Sequence, residues 1–263
     1  MIDGIQPGLV GFVEAGGQNS SALITYQASA TASAETVEDK LRRWVDVRDY
    51  GAVGNGVADD SVVINTCLSE NQNVYFPSGT YLISGIDITV DYKSVWFGGN
   101  VTLKASANDT ILFHQSASYS QHFGTFFADA GGRTGVYGLV CGPADLTDNS
   151  TATSTNFNTM PGVIGSVNGG GCDELVVIQS GPTSGSSCSH NIFPCALGLS
   201  DTRAVWFKCP ASSGGDSPVG NRVYNVRATQ NTGVDIESGI SNFITGFVAS
   251  SISSGTAPNS VPT

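Results

Sequence analysis

The chain has 263 residues, with 11 Lys and Arg against 22 Asp and Glu, a formal net charge of −11 and a pI near 4.4. That balance argues against nucleic acid as a partner, because an acidic surface repels a phosphate backbone. Hydrophobic residues make up 40% and charged residues only 13%. This is enough apolar material to fill a core, and it excludes a globally disordered chain. No apolar run approaches the roughly 18 residues of a membrane span.

Met1–Ala32 carries only Asp3 and Glu14 as charges and contains strand-like pieces at Gly8–Val13 and Ala22–Tyr26. It reads either as a flexible leader or as an anchor that orders against a partner. No Lys or Arg precedes Lys40, so the basic region of a secretory signal is missing and synthesis in a cytosol is expected. Ser33–Val45 is predicted to be a short helix. Ser33 stands where a cap belongs, Glu35, Glu38 and Asp39 come early, and Lys40, Arg42 and Arg43 come late, which suits the helix dipole. Val37, Leu41 and Trp44 form a narrow stripe. That stripe would pack on the rest of the chain or meet its own copies around a symmetry axis.

The most specific signal follows. Val45 and Val47 alternate with polar residues as in a strand, and the run Asp49-Tyr-Gly-Ala-Val-Gly-Asn-Gly-Val-Ala-Asp-Asp60 then supplies glycines for sharp turns, with Asn55-Gly56 a strong turn signal. Asp59 and Asp60 stand where a helix cap belongs, and Val63, Ile64, Cys67 and Leu68 form an apolar stripe behind them. Strand chemistry resumes at Asn73-Val-Tyr-Phe-Pro-Ser-Gly-Thr-Tyr-Leu-Ile83. A short amphipathic helix ahead of many short strands suits a solenoid, whose first rung must be covered.

These residues resemble the opening of the pectate-lyase-like right-handed β-helix, in the version that begins bacteriophage tailspikes and tail fibres. Asp49–Ser61 and Val74–Tyr81 occupy the places of its motifs, with Asn55 and Ser61 replacing the usual Asp and Thr. The resemblance implies a mainly β fold, a right-handed parallel β-helix with an N-terminal anchor and a neck helix, assembled as a homotrimer. It places particle attachment at the N-terminus. The module begins enzymes and inert adhesins alike, so it does not decide activity.

Downstream, strands are predicted at Tyr81–Ser84, Ile86–Val90, Ser94–Phe97, Val101–Lys104 and Thr110–Phe113, then at Glu174–Gln179, Arg203–Lys208, Arg222–Ala228, Val234–Ile236 and Phe243–Ser250. Two or three such strands make a rung. Asn221–Asn242 has solenoid spacing with Asn and Gly at the corners. Leu146–Asn156 is polar and reads as a loop thrown out of the stack. The expected organisation is an anchor over 1–32, a neck helix over 33–45, a β-helix over 46–250 and a polar tail over 251–263. The region 115–210 is left open between continued coil and an inserted β-sandwich.

The six cysteines include no C-x-x-C pair and only three His are present, so neither a metal site nor a cofactor is expected. Buried free thiols are the expectation, with a disulfide among Cys172, Cys188, Cys195 and Cys209 as the alternative. His114, His122 and His190 read as structural. Asp59 and Asp60 read as cap and turn residues. Asp235 and Glu237 stand at i, i+2 in a predicted strand, so they would point the same way and are the candidate catalytic pair for glycan cleavage. The alternative is a solvated outer face. A lyase would add a base near a cation, for which Arg222 and Arg227 are candidates. Three functional readings follow: a virion tail adhesin that recognises host surface polysaccharide and docks on phage tail or portal-adaptor proteins, a depolymerase tailspike, or a cellular pectin- or glucan-degrading enzyme. The first is preferred.

Overall fold

The computed structural model describes residues 25–27, 34–36, 39, 43–144, 154–165, 171–181, 187–198, 203–208, 218–228, 232–236, 241–246 and 248–249. The chain divides into two units, 1–45 and 46–263. In the first, Thr25–Tyr26 pairs antiparallel with Glu35–Thr36. Glu35 and Thr36 are therefore strand, which corrects the helix expected from Ser33. The capping chemistry sits at Thr36 instead: its Oγ1 accepts from the Asp39 amide at 2.9 Å and donates to the Asp39 carboxylate at 2.6 Å. Most of the expected anchor and neck helix lies outside the described residues.

In the second unit, a 3-10 turn over Val47–Tyr50 is capped by Asp46 and stopped by Gly51 at φ 98°. Asn55–Asp59 is an irregular strand, so the Asn55-Gly56 turn signal marks a distorted strand start rather than a hairpin. Helix α1, Ser61–Glu70, buries Ser61, Ile64, Cys67 and Leu68. Asp60 precedes it without making a cap bond. Its carboxylate instead accepts from the amides of Val53 and Gly54 at 2.7 and 3.0 Å and so fixes the glycine turn. Asp59 accepts from the Ser61 amide at 2.9 Å and from its hydroxyl. Those hydrogen bonds hold its carboxyl below the ordinary range. Both motif carboxylates are thus committed to the turn.

From Asn73 the chain winds through three sheets in the repeating order A, B, C. Sheet A holds Asn73–Phe76, Ser94–Phe97, Gln121–Phe123, a single bridging residue Thr159, then Ile192–Phe193, Arg222–Val223 and Phe243–Ile244. Sheet B begins with Asn55–Asp59 and stacks Gly79–Ile83, Val101–Ala105, Thr125–Asp129, Gly162–Gly165, Ala196–Gly198, Val226–Ala228 and Val248–Ala249. Sheet C stacks Ile86–Ile88, Ile111–Gln115, Tyr137–Cys141, Glu174–Gln179, Arg203–Lys208 and Thr232–Ile236. Among the described residues every pairing within these sheets is parallel. The fold is a pectate-lyase-like parallel β-helix. The described parts of 115–210 continue its coils, and no antiparallel insertion appears among them.

Parallel stacking puts like beside like in the interior. Phe97 lies 5.0 Å from Phe76, 5.1 Å from Phe126 and 5.8 Å from Phe113, ring centre to ring centre, and all four are buried. The corner from sheet C to sheet A is polar. There Asn158, Asn191, Asn221 and Asn242 form a ladder. Each of the last three accepts at Oδ1 from the backbone and side-chain amides of the Asn one coil before it, at 2.9–3.1 Å. Each side-chain amide also donates to a backbone carbonyl, of Ala117, Thr155, Cys188 and Pro218 in turn. Asn carries both a donor and an acceptor, so a buried stack of Asn satisfies itself.

Candidate binding surface

Six corner residues have a left-handed backbone, the last four of them immediately before the ladder asparagines: Tyr92, Tyr119, Phe157, His190, Gly220 and Ser241, with φ from 54° to 64°. This conformation turns the chain sharply and throws the side chain outward. The first four are rings, and they stack: Tyr92 on Tyr119 at 5.3 Å, Tyr119 on Phe157 at 5.6 Å and Phe157 on His190 at 5.0 Å, with interplanar angles of 7–13°. Aromatics are costly in this backbone region, so each coil accepts that strain in exchange for a ring contact. The stack stays in water, with Tyr92 67% and Phe157 54% exposed.

It borders the outer face of sheet A, which carries a second aromatic row. Register places Tyr75, Trp96 and Phe123 side by side on successive coils. Tyr75 and Trp96 meet edge to face at 5.4 Å, and Trp96 is 46% exposed. Beside them a cavity of about 430 Å³ opens between sheets A and B, lined by Tyr75, Trp96, Phe127, Ile164, Asn100, Thr125 and neighbouring glycines. Gly98 makes room for it: a Cβ there would lie 2.7 Å from the Tyr75 hydroxyl and 3.0 Å from the Phe76 carbonyl. A second cavity, of about 490 Å³, lies where the ring stack ends, lined by His190, Gly220, Arg222, Tyr224, Ser241 and Phe243.

Asp235 lies elsewhere, on sheet C, in register with Trp206. Its carboxylate sits 3.5 Å from Arg203, whose guanidinium also lies 3.7 Å from Glu174 and 4.1 Å over the Trp206 ring. Lys208 approaches the same ring at 4.6 Å. Glu174 is buried, and that burial pushes its carboxyl up despite Arg203. Glu237 lies outside the described residues, and the described strand ends at Ile236. Arg222 is on sheet A and Arg227 on sheet B. The expected lyase grouping of either with Asp235 is therefore not assembled; Arg203 is the cation beside that carboxylate. Glu174, which sequence analysis did not single out as a site residue, connects with Asp235 through Arg203 from two coils away. Nothing in the sequence aligns those coils.

The remaining singled-out residues are structural. His114 meets Asp87 Oδ1 at 2.9 Å and the Gly142 carbonyl at 2.7 Å, and its hydrogen bond holds the Asp87 carboxyl low. His122 is buried and donates from Nε2 to Gln115 Oε1 at 2.8 Å. His190 differs, closing the outer ring stack. Cys67, Cys141 and Cys188 are buried free thiols and Cys195 a half-buried one; Cys172 is buried too, and Cys209 lies outside the described residues. No group of three or more His, Cys, Asp or Glu among the described residues is arranged to hold a metal ion.

Residues 44–135 match the family described as rhamnogalacturonase A/epimerase, pectate lyase-like. A non-secreted LysM effector of Penicillium expansum, LysM15, is 37% identical over 71 residues, a match spanning 22% of this chain and 5% of that protein. Among solved structures, ORF18 of Geobacillus virus E2 is similar over 89% of this chain and 47% of its own, at TM-score 0.37 and 15% identity. A candidate glycosyl hydrolase of Parabacteroides merdae covers 78% of this chain and 95% of its own, at 0.37 and 10%. PfbA, a surface adhesin of Streptococcus pneumoniae, covers 77% and 59%, at 0.32 and 13%.

Proposed function

We propose that this chain is a homotrimeric virion tail protein that attaches to the phage tail through its N-terminal segment and recognises host surface polysaccharide on sheet A. The tail assignment is supported by the resemblance of Asp49–Ser61 and Val74–Tyr81 to the opening of tailspikes and tail fibres. The glycan assignment is carried by the Tyr75–Trp96–Phe123 row and the cavity beside it. Flat, exposed rings take the apolar face of a sugar. Asn100 and the glycine backbone of the turn offer polar groups at its rim. A rigid β-helix holds such rings at one coil spacing, about 4.8 Å, so binding costs little ordering of the protein. Size-exclusion chromatography with light scattering tests the assembly, and a single-chain mass overturns the trimer. For recognition, wild type and Trp96→Ala are titrated with purified capsular and lipopolysaccharide glycans. Loss of this ring is expected to weaken binding by about 2 kcal/mol, roughly thirtyfold in Kd. Equal affinities overturn the assignment to sheet A.

A depolymerase is the second reading, favoured by one observation. Glu174, kept protonated more readily by burial, shares Arg203 with the more exposed Asp235, and two carboxyls in unlike environments are what glycoside hydrolysis uses. Release of reducing ends, abolished by both Glu174→Gln and Asp235→Asn, establishes it; intact glycan after prolonged incubation removes it.

A further inference from the structure

We infer that Cys141 and Cys188 form a covalent modification site, a disulfide that the native fold accommodates and that closes between successive coils when the chain meets a peroxide. The site lies in the interior, so it stands whether or not sheet A binds a glycan. Cys141 ends the sheet C strand Tyr137–Cys141. Cys188 opens the short strand Cys188–Ser189, which pairs in parallel with Thr155–Asn156 of the coil before. The chain thus makes one full coil between them and returns, 47 positions on, with the two Sγ atoms 3.4 Å apart. Both side chains are fully buried. A disulfide needs about 2.05 Å between its sulfurs, so what remains is side-chain rotation.

The backbone around both residues is held. Cys141 lies in a parallel ladder between Gln115 and Ile178. Cys188 donates its amide to Ser180 Oγ at 3.1 Å and accepts at its carbonyl from Asn221 Nδ2 at 3.0 Å. The coils are also drawn together beside Cys141: a Cβ on Gly142 would lie 1.9 Å from the Gln179 carbonyl oxygen, so only glycine fits. Two groups fixed in contact react as if each were highly concentrated around the other.

The surroundings divide the roles. Asn191 Nδ2 donates to Cys188 Sγ at 3.4 Å, which offsets negative charge as it develops on that sulfur. Burial pushes the Cys141 thiol well up, so it stays protonated. Cys188 sulfur, as thiolate, attacks one peroxide oxygen. The O–O bond breaks, the departing hydroxide takes up the thiol proton and leaves as water, and Cys188 becomes a sulfenic acid. Cys141 sulfur then attacks the sulfenic sulfur. The S–S bond forms, the S–O bond breaks, and the leaving hydroxyl carries away the Cys141 proton as a second water. Two thiols and one hydrogen peroxide give one disulfide and two waters. Burial keeps bulky disulfide reagents out, whereas hydrogen peroxide is close to water in size. In a reducing cytosol the pair stays open. Once closed, the bond ties the coils at the corner that carries the Asn ladder and restricts the unfolded chain.

The test uses the full chain, reduced with a phosphine and then treated with dilute hydrogen peroxide. Remaining thiols are capped by an alkylating agent during denaturation, and the digest is mapped by mass spectrometry. The expected product is a Cys141–Cys188 peptide pair lighter by two hydrogen masses than the two thiol peptides. The thermal midpoint of the oxidised protein is expected to exceed that of the reduced protein by about 5 °C or more. Cys141→Ala and Cys188→Ala are each expected to lose this shift. The mapping is made on wild type, so the result holds even if a variant folds poorly. Recovery of both thiols in capped form, a link from Cys188 to any other cysteine, or a Cys141–Cys188 link with an equal or lower midpoint overturns the site.

Discussion

His122 points into the core from sheet A, and burial pushes its imidazole down to about 3. In an unfolded chain the same ring takes its proton near pH 6.5. Between those values the unfolded state binds more protons. The contribution of neutral His122 is therefore complete above pH 6.5 and is lost as pH falls toward 3, at about 1.4 kcal/mol per pH unit. His122→Gln keeps a donor for Gln115 and removes the titration. Urea midpoints at pH 7.5 and 4.5 should show any stability advantage of wild type over this variant shrinking by about 2–3 kcal/mol at the lower pH. An unchanged difference contradicts a buried neutral imidazole. Single residues were also where the sequence was least informative about the site. Glu174, Arg203 and Asp235 gain their relation from coil register, and Trp96 is indistinguishable in sequence from a core aromatic until its strand is placed.

Elements were read more easily when their signals were local. The apolar stripe of α1 and the strands on either side of Pro77 stand in the structure as composition and spacing indicated, whereas Asp60, expected to cap the helix, holds the glycine turn instead. The neck helix misled because its cap signal, expected at Ser33, is played by Thr36 after a strand. The corner motif was half visible: Asn221 and Asn242 were expected at corners, whereas Asn158, Asn191 and the ring stack were hidden by loops of unequal length between coils. That ladder makes a graded prediction. Asn191→Ala removes a residue bonded on both sides and leaves buried partners on Asn158, Asn221 and Thr155. The cost of each such buried group is about 1–3 kcal/mol. Asn242 closes the described ladder and is only half-buried, so Asn242→Ala should cost less. Chemical denaturation orders the two variants, and an equal or reversed order contradicts a continuous buried ladder.

A β-helix buries its coils against one another and leaves three long outer faces, which differ in chemistry here. Sheet C carries the Glu174–Arg203–Asp235 cluster, whereas sheet A and its corner are lined with rings that make no contribution to the core. Fold class was legible from about sixty residues because the first coil has to be covered and turned by special chemistry. The proposed binding face was not, since it depends on side chains brought together only by stacking. The same geometry separates recognition from catalysis experimentally. Purified protein is incubated with host capsule or lipopolysaccharide, and both retained glycan and released reducing ends are followed for wild type, Trp96→Ala and Asp235→Asn. The account predicts that wild type and Asp235→Asn retain intact glycan equally and Trp96→Ala retains far less. Cleavage by wild type that disappears in Asp235→Asn, with retention indifferent to Trp96, contradicts it.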